Sequence, residues 1–111
     1  MTTNEYKEKI TPELVRSIFE TSIVYPDRQK YVMTIGGRII SISGKCFYES
    51  KEQALKSLYN SLGWRIKREV WELTHPDEDL YGYWRAPEST KMYKAFKETI
   101  IEKYGFKVIS V

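Results

Sequence analysis

The stretch "KYVMTIGGRIISIS" constrains this chain more than any other. Two runs rich in β-branched and aromatic residues flank Gly36-Gly37. So tight a connection needs positive φ at both turn positions, which glycine adopts without steric cost. The pattern predicts an antiparallel hairpin with strands at 30–35 and 38–43. Gly44 reads as a bulge, with "KCFY" extending the second strand past it. A two-stranded hairpin alone is marginal in water, so it needs further strands or a helix layer. The terminal "FKVISV" supplies a strand at 106–111, with Phe106, Val108 and Ser110 on one face.

Helix signals surround these strands. Thr11 is placed to cap, Pro12 suits a first helical position, and Ile10 can pack on Val15 as a staple. Leu14, Val15, Ile18 and Phe19 make one stripe, which predicts a helix over 12–21 before a turn at Pro26 and Asp27. Ser50 and Gln53 match a capping box and open a second helix. Ala54, Leu55, Leu58 and Leu62 form its apolar face, and Ile66, Val70 and Leu73 fall within roughly 60° of Leu55. The phase survives Gly63, so one helix over 51–73 is expected, with Gly63 as the point where it would break. Arg65 with Glu69, and Arg68 with Glu72, support it at i,i+4; a strand from Trp64 is the alternative. A last helix spans 88–104, with Met92, Phe96 and Ile100 inward and Gly105 as its stop. Residues 1–9 are polar and expected to be loose. Residues 1–111 then form one α+β domain, a small antiparallel sheet of three or four strands packed by helices.

Three Trp, nine Tyr and four Phe side chains favour a packed core over disorder. A net charge of +3 is mild, since 18 basic residues meet 15 acidic ones, and it argues only weakly for nucleic acid. A lone Cys46 makes neither an internal disulfide nor a thiolate zinc site and is expected to be buried and inert. The N-terminus lacks a signal-peptide core, and no apolar run approaches the roughly 18 residues of a membrane span. The expectation is a cytoplasmic protein without membrane contact.

Motifs for catalysis are missing. There is no P-loop, dinucleotide fingerprint, nucleophile elbow or HExxH, so no cofactor, metal or catalytic residue is expected. His75 with Asp77, Glu78 and Asp79 is the one cluster a small enzyme could use. It lacks the spacing of a calcium loop and reads as a solvated acidic loop.

The chemistry lies instead in "SLGWRIKREVWEL". On a helix, Trp64 and Trp71 point opposite the apolar stripe, beside Lys67 and Arg68. Trp and Arg are enriched in interface hot spots. Tyr81, Tyr83 and Trp84 in "LYGYW" form a second aromatic group, which either joins the face or folds over both tryptophans and makes them core. A nucleic-acid binder would use Lys56, Arg65, Lys67, Arg68 and Arg85 with the same rings. Glu69 and Glu72 would repel phosphates, which favours a protein partner. The terminal strand could also pair with a second copy, so the oligomeric state is open.

The run "CFYESKEQALKSLYNS" after a short hairpin, answered by "GFKVISV", resembles small accessory proteins of tailed bacteriophages. The likeness covers residues 38–62 and the last strand and brings no catalytic residues. "GWRIKREVWEL" and the tyrosine-rich loop have no counterpart in it. It implies an early protein that binds a host protein and blocks a host enzyme or defence system by covering its surface.

Overall fold

The computed structural model describes residues 2–21, 31–42, 47–77 and 89–110. Its elements are helices α1 (Thr3–Lys9) and α2 (Pro12–Ile18), strands β1 (Glu20–Thr21), β2 (Tyr31–Ile35) and β3 (Arg38–Ser41), helices α3 (Lys51–Thr74) and α4 (Ser89–Lys103), and strand β4 (Lys107–Ser110). The sheet order is β1-β3-β2-β4 with every neighbouring pair antiparallel. The fold is α+β, as the sequence predicts.

The hairpin forms on Gly36 and Gly37, with φ of 57° and 80°. Met33 pairs with Ile40 on one side and Val108 on the other, so three apolar side chains share one sheet face. α3 packs across β2 and β4, closing the core. Beyond β3, Tyr48 forms a single bridge to Tyr31, the two exchanging backbone hydrogen bonds of 2.9 and 3.1 Å. The expected bulge at Gly44 and the turn at Pro26 and Asp27 lie outside the described residues.

The leading segment corrects the sequence reading: it is helix α1, not loose chain. Thr2 and Glu5 make a capping box in which the Thr2 hydroxyl accepts from Glu5 N–H and the Glu5 carboxylate accepts from Thr2 N–H, each at 3.2 Å. Tyr6 is fully buried. Lys7 donates to Glu98 at 2.5 Å and to Glu102 at 3.4 Å, which ties α1 to α4. These contacts, led by the hydrogen bond to Glu98, raise the Lys7 pKa, and Lys7 holds the Glu98 carboxyl below its usual value.

α2 also stops sooner than expected. Its last residue is Ile18, and Phe19 is already extended (φ −108°, ψ 134°), because Glu20 and Thr21 pair with Ser41 and Ile40. The cap is as predicted, with Thr11 Oγ1 accepting from Leu14 N–H at 3.2 Å and Pro12 in the first turn.

α3 runs unbroken through Gly63, which excludes a strand from Trp64. Ser50 Oγ accepts from Gln53 N–H at 3.1 Å, while the Gln53 side chain accepts from Glu49 N–H at 2.9 Å. Ala54, Leu58, Leu62, Ile66 and Val70 are all buried. Leu73, expected inward, is exposed, and Leu55 is only partly buried. A line of residues four apart advances about 40° per step around a helix, so the buried line leaves the azimuth of Leu55 and Leu73. On α4, Met92, Phe96 and Ile100 are fully buried, as expected. Gly105 follows it at φ 67°, Phe106 N–H donates to the Ile100 carbonyl at 2.9 Å, and Gly36 N–H donates to the Tyr104 carbonyl at 3.1 Å. The hairpin turn is thereby fastened to the end of α4. No helix among the described residues is long and apolar enough to cross a membrane.

Candidate functional site

Every fourth residue of α3 from Glu52 to Glu72 is exposed: Glu52, Lys56, Asn60, Trp64, Arg68 and Glu72. This spacing sets them in one row along the helix. Trp64 sits inside it at 60% exposure, one turn from Arg68 and two from Lys56. Full burial of its ring by a partner would remove a large apolar area from water.

Beside the row lies a second feature that the sequence reading missed. Tyr59 is half exposed, and its ring meets Tyr93 of α4 edge-on with centroids 4.9 Å apart. Lys67 reaches back along α3, its ammonium donating to the Tyr59 hydroxyl at 3.2 Å and standing 5.0 Å from the ring centroid. The contact spans eight residues, and Gly63 lies between. A Cβ built on Gly63 would lie 3.5 Å from the Tyr59 ring, so the ring rests against the bare backbone there. The signal lies in the four-residue spacing of Tyr59, Gly63 and Lys67, which sets the three in one row along the helix. Burial, with a smaller contribution from Tyr59, pushes the Tyr93 phenol up to about 12.

The structure separates the two tryptophans. Trp71 is buried at 7% exposure and belongs to the core, so it drops out of the partner-binding set. Its ring stacks on His75 at 3.8 Å with planes 10° apart. His75 caps the helix, its N–H donating to the Trp71 carbonyl at 2.8 Å, and its Nδ1 lies 2.8 Å from the Thr74 hydroxyl. Trp71 Nε1 is buried and has no hydrogen-bond partner among the described residues.

The predicted cations also divide. Arg65 donates to the Ser17 carbonyl and, at 3.4 Å, to Glu69, which also accepts from the Ser17 hydroxyl at 3.4 Å. Arg65 therefore joins α3 to α2, and Lys67 is engaged on Tyr59. Lys56 and Arg68 remain on the Trp64 row. Tyr81, Tyr83, Trp84 and Arg85 lie outside the described residues, as do Glu78, Asp79 and Cys46. Among the described residues, no three His, Cys, Asp or Glu side chains come together in a way that could hold a metal ion. No family model, no curated protein and no solved structure matches the chain.

Proposed function

We propose that the chain is a non-enzymatic protein-binding module that acts by covering a partner's surface, with Trp64 as its anchor. The observation that carries this reading is the exposed indole of Trp64 in one row with Lys56 and Arg68. A rigid helix presenting one large aromatic group between cations suits a partner pocket rimmed by carboxylates. The resemblance to phage accessory proteins extends the reading: the partner is a host enzyme or defence protein in the host cytoplasm, inhibited by occlusion.

Nucleic acid is the second reading. The position of Glu69 favours it, since Arg65 and Ser17 occupy the carboxylate that would otherwise face phosphate. Yet Arg65 and Lys67 already hold contacts within the domain, which leaves Lys56 and Arg68 of the predicted cations among the described residues. Two phosphate contacts give a salt slope of only about −2 in log K against log salt. Protein is the stronger reading.

The test is a nuclease-treated pull-down with the wild type and with Trp64→Ala. A protein captured by the wild type and lost in the variant, at unchanged thermal stability, supports the proposal. Capture that ignores Trp64 sinks it, and capture abolished by nuclease transfers the site to nucleic acid.

A further inference from the structure

A second site opens away from the exposed row of α3. Between α2 and the β2–β3 hairpin lies a cleft of about 190 Å³ lined by Val15, Arg16, Phe19, Ile35, Arg38 and Ile40. Its floor is apolar: Val15, Phe19 and Ile40 are buried core residues, and Ile35 packs against them. Among the described residues, the rest of its lining is two arginines. Arg38 alternates in phase with Ile40 along β3 and pairs across the turn with Ile35, so it emerges on the helix side of the sheet. Arg16 comes from α2, where it pairs with Glu13 at 3.3 Å between side chains each more than 70% exposed. Such a pair contributes little and yields readily to a better acceptor.

We infer that this cleft binds a small organic carboxylate whose apolar body is no larger than one ring. A cavity of about 150 Å³ with aliphatic and aromatic walls accepts benzene, so the volume here suits a single ring or a short branched chain. Two arginines lining an apolar floor select a negatively charged head, because the planar fork of arginine matches a carboxylate with two parallel hydrogen bonds. An apolar gap alone would take the neutral ring in preference to the charged one, whose carboxylate it could not compensate. A pair of arginines alone would take acetate as well as a larger acid. The site combines both demands.

The test is an NMR titration of the full chain with phenylacetate as probe, following the methyl groups of Val15, Ile35 and Ile40. Saturable shifts there are expected, with a Kd of about a millimolar. Phenylacetamide, which keeps the ring but loses the charge, and acetate, which keeps the charge but loses the ring, should each bind about tenfold more weakly. Arg16→Gln and Arg38→Gln should each weaken phenylacetate about tenfold, with thermal stability as the control for folding. Phenylacetamide binding as tightly as phenylacetate overturns the inference, as does a phenylacetate titration that leaves the three methyl groups unmoved.

Discussion

The middle and the end of α3 carry the same residue type at nearly the same azimuth, with opposite outcomes. Trp64 and Trp71 are seven residues apart, which returns them to within about 20° of each other around the helix. Trp64 is 60% exposed and Trp71 is 7% exposed. The difference arises in the core. Ala54, Leu58, Leu62, Ile66 and Val70 are spaced by four, so the buried line turns about 10° per residue relative to a fixed azimuth. Over seven residues that drift is about 70°, enough to carry one face of the helix from solvent to core. His75 then closes the end by stacking on Trp71.

The sharpest way to break this comparison is to truncate each ring. Trp71→Ala should cost about 3 kcal/mol in urea unfolding. That is near the low end of large core deletions, because the lost indole takes with it an N–H that is unpaired among the described residues. Trp71→Phe keeps an aromatic face toward His75, removes that N–H, and should cost under about 1.5 kcal/mol. A comparable loss from Trp64→Ala would mean the two rings play the same part after all.

A smaller effect tests the flank of the exposed row. The Tyr93 phenol is raised from 10 to about 12, so the unfolded chain gives up this proton first. Its contribution to stability is intact below pH 10 and is lost as the pH rises from 10 through about 12. Because the ring is only partly buried, about 1 kcal/mol is the expected size after allowance for solvent screening. Tyr93→Phe should flatten that part of the stability–pH curve; an unchanged curve would place the titration elsewhere.

Gly63→Ala should raise stability by up to about 1 kcal/mol, since the added methyl meets the Tyr59 ring at an ordinary contact distance and the helix loses a flexible residue. A loss instead would show that Tyr59 needs the bare backbone. Trp64→Ala should change unfolding by less than about 0.5 kcal/mol, the usual limit for an exposed position. That near-silence, set against the loss of partner capture, is what would separate an interaction face from a core face.

Much of this arrangement was legible in the sequence, and the gaps have physical causes. The hairpin was readable because two adjacent glycines between β-rich runs admit few other conformations. The continuity of α3 was readable because its apolar phase survives Gly63. Helix α1 was not read, although Thr2 and Glu5 spell out its capping box. Its apolar content is nearly confined to Tyr6, and its ion pairs reach Glu98 and Glu102, more than ninety residues away. Strand β1 has two residues and exists through its pairing with β3, a partner no local pattern announces. The fate of Trp71 depended on the drift of the buried line, which a fixed stripe through Leu55 conceals. Arg65 looked like a surface cation because its acceptor, the Ser17 carbonyl, is a backbone group on another helix.

The order of strands has a consequence for how the protein is made. β4 pairs with β2, so the hairpin lies beside a vacant position until residue 110 is available. The 68 residues that separate Ile42 from Ser110 take roughly 3 to 14 s to synthesise at 5–20 residues per second. During that interval Met33 lacks the neighbour that Val108 later supplies, and the edge of β2 offers unpaired backbone groups to any passing strand. The hydrogen bond from Gly36 to Tyr104 marks the end of the wait, since it forms only when the far end of α4 reaches the turn. A nascent chain of this protein is thus most vulnerable to aggregation in the seconds between the emergence of its hairpin and the emergence of β4.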